Sequence, residues 1–252
     1  MIIEYNRPAN LEEALQLLAR STPRTLPLGG GTVLAGPSKE EFAVVDLQNL
    51  GLNSLTSHGN FLELGAALTL QALLDHPDCP PELRRVIELE ATNNLRQAAT
   101  VAGTLVSADG RSAFAAALLA LDARLTLLPG EESLDLGDLL PLRAERLRGR
   151  LISRVSLPAN ARLAYEVVAR TPADLPIVCA ALALWPSGRM RLVLGGYGAD
   201  PKLAFDGSEP DGLGAAAQSA YADAQDEWAS AGYRAAVAAV LAQRCQERLA
   251  AD

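Results

Sequence analysis

Apolar and polar positions recur along the chain with two periods, and these predict its elements. Ile2 to Tyr5 reads as a short strand. From Ala9 the segment Asn10-Leu-Glu-Glu-Ala-Leu-Gln-Leu-Leu-Ala19 places apolar residues at helical spacing behind an Asn cap and two acidic first-turn residues. Thr25 to Leu28 and Phe42 to Asp46 are β-like runs on either side of a glycine loop, completing a strand, helix, strand, loop, strand unit of about 50 residues. Phe61-Leu-Glu-Leu-Gly-Ala-Ala alternates as a strand, and Thr69 caps a helix over Leu70 to Asp75. Glu82 to Glu90 and Ala115 to Leu121 read as helices, Arg124 to Leu128 as a strand ended by Pro129-Gly130, and Arg150 to Leu157 as another strand. Pro158-Ala-Asn-Ala is the best linker, and a domain boundary is placed there. Beyond it, Arg162 to Ala169 and Met190 to Gly195 read as strands, and Ile177 to Trp185 as a strand or a buried helix end. Helices over Leu213 to Ala224 and Ala229 to Leu249 complete an α+β module, a small antiparallel sheet backed by helices.

Two loops break this pattern with glycine, threonine and serine. Pro27-Leu-Gly-Gly-Gly-Thr-Val-Leu34 follows a strand end, and Leu95-Arg-Gln-Ala-Ala-Thr-Val-Ala-Gly-Thr-Leu-Val-Ser-Ala-Asp109 runs into the apolar Ala/Leu helix. Successive glycines tolerate positive φ and let backbone N–H groups converge on a phosphate, and Thr32 adds a hydroxyl. No Lys-Ser/Thr follows Gly31, and Leu34 stands where a dinucleotide fingerprint needs its third glycine, so neither a P-loop nor a Rossmann site is expected. A tight strand-to-helix turn with no ligand is the alternative for the triple glycine.

The 252 residues, 49% of them hydrophobic, are enough for one large or two modest globular domains. A formal charge of −8 argues against a nucleic-acid surface or a basic membrane patch. The apolar run from Ile177 to Trp185 is too short for a membrane span. The start lacks the basic region, apolar core and small-residue site of a secretion signal, and Cys79, Cys179 and Cys245 have no C-x-x-C pairing. A cytoplasmic protein without a thiolate metal site is therefore expected.

Other chemistry-bearing residues read as structural. His58 and His76 lie in polar settings, and Cys79 near His76 belongs to a turn-like Asp-His-Pro-Asp-Cys-Pro segment rather than a catalytic pair. Glu131, Glu132 and Asp135 to Asp138 form an acidic cluster without calcium-loop spacing. Arg143, Arg146, Arg148 and Arg150 could pair with that cluster or with a partner subunit.

These residues, taken in order, resemble the FAD-binding medium subunit of molybdenum hydroxylases, the group of carbon monoxide dehydrogenase and xanthine dehydrogenase. The resemblance rests on Tyr5-Asn-Arg-Pro-Ala-Asn-Leu-Glu-Glu-Ala14, Leu28-Gly-Gly-Gly-Thr-Val-Leu34, Val45-Asp46-Leu47 and Leu64-Gly-Ala-Ala-Leu-Thr69. It continues through Leu95-Arg96, Thr100-Val-Ala-Gly-Thr104, Leu118 to Ala123, Ser156-Leu-Pro158, Ala231-Gly-Tyr-Arg234 and Leu241-Ala-Gln-Arg244.

The resemblance implies two small α/β FAD-binding subdomains, 1–58 and 59–158, then an antiparallel sheet with helices, 159–252. It implies that Gly29, Gly30, Gly31 and Thr32, with Thr100, Gly103 and Thr104, wrap the FAD pyrophosphate. Leu28, Val33, Leu34, Ala102 and Asp109 belong to the same site segments, and Leu151 or Ile152 lies near the flavin ring. It further implies an electron-transfer subunit of a hetero-oligomer. Electrons come from a molybdenum cofactor on a large subunit through 2Fe–2S clusters on a small one, and leave FAD for an external acceptor. This chain carries neither metal and no catalytic acid or base.

The chain also departs from the family. Ala102 and Thr104 replace a glycine and an asparagine, and Val33, Ala113 and Val167 stand where the family has Asp, Asp and Lys. Val33, Ala113 and Val167 each remove a polar contact, and Ala102 adds a methyl where backbone approaches phosphate; together they weaken FAD binding, with Arg111 and Ser112 as local replacements near Ala113. The other expectation is a structural or docking subunit with a weakened or empty FAD site. Asp174, within Thr171-Pro-Ala-Asp-Leu-Pro, is expected to hold a loop of the third domain.

Overall fold

A computed structural model of the chain describes residues 1–171 and 173–251. The elements begin β1 (Ile2–Asn6), α1 (Leu11–Ala19), β2 (Thr25–Leu28), β3 (Phe42–Asp46), β4 (Leu55–His58), β5 (Phe61–Gly65), α2 (Leu70–Asp75), α3 (Pro81–Glu90), α4 (Asn93–Arg96) and α5 (Val101–Ser107). They continue α6 (Ala113–Ala120), β6 (Arg124–Leu128), β7 (Glu132–Asp135), α7 (Leu136–Leu139), α8 (Arg143–Arg146), β8 (Leu151–Pro158), β9 (Arg162–Val168), β10 (Val178–Leu184), β11 (Met190–Gly195), β12 (Lys202–Gly207), α9 (Leu213–Ala220) and α10 (Ala231–Ala251). The fold is α+β, as expected. No helix among the described residues is long and apolar enough to cross a membrane.

Contacts divide the chain into two units. The first comprises residues 1–78, 93–107 and 124–156; the second comprises 79–92, 108–123 and 157–252. The break at 156/157 lies beside Pro158, but α3 and α6, which a linear division leaves in the middle piece, belong with the second unit.

In the first unit β1, β3 and β2 form a parallel sheet in the order β1-β3-β2. Central β3 is buried along its whole length, which is why Phe42-Ala-Val-Val45 is a continuous apolar run instead of an alternating one. Its closing carboxylate, Asp46, accepts hydrogen bonds from the Tyr5 hydroxyl and, at 3.0 Å, from the Gln48 amide. The Asn10 side chain caps α1 by accepting from the Glu13 amide at 2.9 Å, and the Glu13 carboxylate accepts from the Ala9 amide at 2.9 Å, which fixes where this helix starts. A second sheet, ordered β4-β5-β8-β6-β7, occupies the same unit, and its β4–β5, β6–β7 and β6–β8 pairs are antiparallel.

In the second unit β12, β11, β10 and β9 form an antiparallel sheet in that order. The apolar run from Ile177 resolves as strand β10, enclosed between β9 and β11. Val178, Ala180 and Leu182 join a core with residues of α9 and α10, while α6 also packs on β10 and β11. All eight residues of α6 are buried, so Ala113-Phe-Ala-Ala-Ala-Leu-Leu-Ala120 is apolar all round.

Edge strands β4, β7 and β12 were not legible in the sequence. Leu55-Thr-Ser-His58, Glu132-Ser-Leu-Asp135 and Lys202-Leu-Ala-Phe-Asp-Gly207 carry the polar residues of partly solvated edges, and so lose the apolar signature of a strand.

Arg234, on α10, is fully buried and organises the second unit. Its guanidinium donates to the carbonyls of Ile177, Gly196, Ala224 and Ala229 and pairs with Asp226 at 2.9 Å. Burial opposes the charge on Asp226, but Arg234 and the amides of Trp228 and Ala229 outweigh it and hold the carboxyl at about 2, below its ordinary 3.8. Asp226→Asn leaves a buried cation without its counter-charge and is expected to destabilise the chain by about 3 kcal/mol at neutral pH. Because the folded-state value is depressed, this stabilisation is complete above pH 3.8 and is lost as pH falls toward 2. Urea unfolding across that window should show the gap between wild type and variant closing; a gap independent of pH would refute the assignment.

Candidate anion-binding loop

Strand β2 ends at Leu28, whose carbonyl accepts from the Leu47 amide at 3.0 Å, and Gly29, Gly30 and Gly31 follow directly. Each glycine has its own reason. A Cβ on Gly30 would lie 1.5 Å from the Ala98 carbonyl oxygen, and one on Gly29 would lie 2.6 Å from the Thr100 hydroxyl. Gly31 has φ +71°, a left-handed conformation that disfavours side chains. The chain then turns, with the Ala35 amide donating to the Gly31 carbonyl and the Gly36 amide to the Val33 carbonyl, both at 3.0 Å. The amides of Gly30, Gly31, Thr32 and Val33 have no acceptor among the described residues. Four successive donors without acceptors, in a partly solvated turn, can bind an anion.

The second segment is not the open loop that its composition suggests. Most of it is helical, with α4 before Gln97 and α5 after Thr100. Thr100 caps α5, its hydroxyl accepting from the Gly103 amide at 3.1 Å and its carbonyl from the Thr104 amide at 2.8 Å. The Val101 amide donates to the Leu68 carbonyl at 2.8 Å and the Ala102 amide to the Ala66 carbonyl at 3.1 Å. All four amides from 101 to 104 are therefore engaged within the chain. The Thr104 hydroxyl is left over, buried without a hydrogen-bond partner among the described residues.

The other residues named from the sequence fall in different settings. Thr32 is exposed, Leu34 is half-buried, and Val33 is 60% exposed, an apolar side chain in water at the edge of the donor loop. Leu151 and Ile152 are only 2% and 3% exposed, and Leu151 packs into the core with Ala14, Leu18, Val45, Leu47 and Leu52. Asp109 lies in the second unit, where its carboxylate accepts from the Arg111 amide at 2.8 Å.

The candidate replacements near Ala113 are both engaged. Arg111 pairs with Asp226 at 3.4 Å and lies over the Trp228 ring, 4.8 Å from its centroid. Ser112 caps α6 and donates to the Glu90 carboxylate. Glu90 also accepts from the Phe114 amide at 2.8 Å, and burial pushes its pKa upward. Ala113 itself is buried.

Burial raises the thiols of Cys79 to about 11 and Cys179 to about 12. His58 lies on an exposed strand, His76 accepts from the Asp78 amide at 3.2 Å, and no cluster among the described residues could hold a metal ion. Arg146 and Arg150 pair with Glu132 at 3.6 and 2.7 Å, so part of the basic run meets the acidic cluster. Asp174 pairs with Arg170 at 3.5 Å across its loop. The feature that sequence reasoning missed is the Ala98 carbonyl, a backbone atom with no side-chain signature.

The family described as the FAD binding domain in molybdopterin dehydrogenase matches residues 1–160. The uncharacterized protein YgfM of Escherichia coli (strain K12) is 28% identical over 247 residues, covering 96% of this chain and 94% of that protein. Among solved structures, a cyanide-inactivated Cu,Mo-CO dehydrogenase chain superposes with a TM-score of 0.83 at 24% identity, covering 98% of this chain and 97% of its own. Quinoline 2-oxidoreductase from Pseudomonas putida 86 gives 0.82 at 23% identity, with 98% and 96% coverage. Reconstituted CO dehydrogenase from Oligotropha carboxidovorans gives 0.82 at 25% identity, with 97% and 96% coverage.

The loop geometry makes a stability prediction. Gly30→Ala must displace backbone and is expected to destabilise by about 1–3 kcal/mol. Gly214→Ala, in helix α9 where an added Cβ meets nothing within 4 Å, is expected to be neutral or to stabilise by up to about 1 kcal/mol. Urea unfolding of both variants checks the pair, and equal effects would refute the close approach at Gly30.

Proposed function

We propose, because the chain belongs to the family of FAD-binding domains in molybdopterin dehydrogenase, that it is the flavin-bearing electron-transfer subunit of a molybdenum hydroxylase-type oxidoreductase. The observation that carries this reading is the run of four amides, Gly30 to Val33, without acceptors. Such donors suit a pyrophosphate, and the orphaned Thr104 hydroxyl offers one more polar contact. In this reading the first loop holds the pyrophosphate and the second segment closes the site beneath it.

When bound, FAD supplies reversible one- and two-electron chemistry, which suits it to link iron–sulfur clusters to an external acceptor. This chain's residues bind and orient the cofactor; the substrate site belongs to a large molybdenum-cofactor subunit and the 2Fe–2S clusters to a small one. A cytoplasmic hetero-oligomer and the three-part division 1–58, 59–158 and 159–252 complete the proposal. Buried Leu151 and Ile152 contribute to such a site through the strand that carries them. A second reading, a docking subunit with a weakened flavin site, is favoured by exposed Val33 and by the engaged amides of the second segment.

A visible spectrum of the purified protein, with FAD fluorescence measured after acid release, separates the readings. Near-stoichiometric flavin is expected under the first; none, even after incubation with excess FAD, supports the second. Val33→Asp places an acceptor for ligand hydroxyls in the loop and is expected to tighten FAD binding about tenfold. An unchanged dissociation constant would overturn the placement of residue 33 at the ligand.

A further inference from the structure

We infer that the two glycine-bearing segments have different jobs: the first supplies the anion's amide donors, and the second, through Thr100 and the Ala98 carbonyl, is the support that positions them. This rests on the FAD reading above and departs from a picture in which both segments donate their backbones. Three observations lead to it.

The donors are distributed unequally. Amides 30 to 33 are without acceptors among the described residues, whereas amides 101 to 104 donate to Leu68, Ala66, the Thr100 hydroxyl and the Thr100 carbonyl. An amide engaged in its own helix cap or strand-like bridge must break that bond to reach a ligand. The two segments also meet at close range, with the Ala98 carbonyl under Gly30 and the Thr100 side chain under Gly29. Finally, Thr100 is itself held, 5% exposed and bridged to Thr69, and its hydroxyl accepts from Gly103. A rigid group therefore lies beneath a turn that has few bonds of its own. Thr100 is a positioning residue, acting on the ligand only through the loop above it.

Thr100→Val keeps the shape but replaces the oxygen beside Gly29 with a larger methyl group and unpairs the Gly103 amide. Thr100→Ser retains the oxygen. In the full-length chain, binding of FAD, riboflavin and inorganic pyrophosphate is measured together with amide hydrogen exchange. FAD and pyrophosphate are expected to slow exchange in 29–34, while 100–104 is already slow and changes little. Thr100→Val is expected to weaken FAD and pyrophosphate at least tenfold, riboflavin less than twofold, and to lose the protection at 29–34. Thr100→Ser stays within threefold of wild type for all three.

Ligand-induced protection centred on 100–104 overturns the inference, as does unchanged FAD binding in Thr100→Val. Equal loss of FAD and riboflavin also overturns it, by reporting general damage to the fold. If pyrophosphate protects 29–34 and FAD does not bind, the flavin reading falls and the division of labour stands.

Discussion

The Ala98 carbonyl oxygen occupies the space that any side chain at residue 30 would need, and the shape of the candidate site depends on that approach. With no Cβ at Gly29 or Gly30, β2 can end directly above the turn that precedes α5. At Gly31 the positive φ leads the chain into the two hydrogen-bonded turns that follow. The donors of residues 30 to 33 follow from packing: they lack acceptors because the loop is held by van der Waals contact from below and by two turn hydrogen bonds beyond it. A loop stitched down through those amides would have no capacity left for an anion.

The second unit handles charge in the opposite way. Arg234 is fully buried, with every direction of its guanidinium filled by carbonyls or by Asp226. Asp226 meanwhile collects Arg111 and the turn amides that lead into α10. Glu90 does the same at the start of α6, where an entirely apolar helix has no polar face to signal its origin. These contacts hold segments of the second unit together: Arg111 pairs with Asp226, and Ser112 caps α6 and donates to Glu90.

Much of this was legible from residue patterns because the strongest signals are periodic. Asn10 and Thr69 are side-chain caps, and each lies one residue before a helix that the structure contains. Asp46 and the glycine triplet were visible as motifs. The edge strands were not, since a partly solvated edge resembles a loop in composition. The helical character of 93–107 was hidden for another reason: Thr, Gly and Ser are poor helix formers, and a cap at Thr100 together with carbonyls from Leu68 and Ala66 overrides that propensity. Nor could the sequence distinguish free amides from engaged ones, because every residue except proline brings the same N–H and only tertiary contacts determine its acceptor.

That last point bears on the departures from the family. Val33, Ala102 and Thr104 each change a side chain, yet none removes an N–H group. Recognition by backbone is insensitive to side-chain substitution as long as the loop keeps its conformation, and here that conformation is held by Gly29, Gly30, Gly31, Ala98 and Thr100, all of which are present. Ala102 is tolerated on the same logic: its amide already bonds Ala66, and its methyl is almost fully buried beside it. The departures at Val33, Ala102 and Thr104 therefore leave the backbone donors of residues 30 to 33 in place. A site of this kind loses affinity in increments of about 1 kcal/mol per missing side-chain partner and keeps its location while doing so.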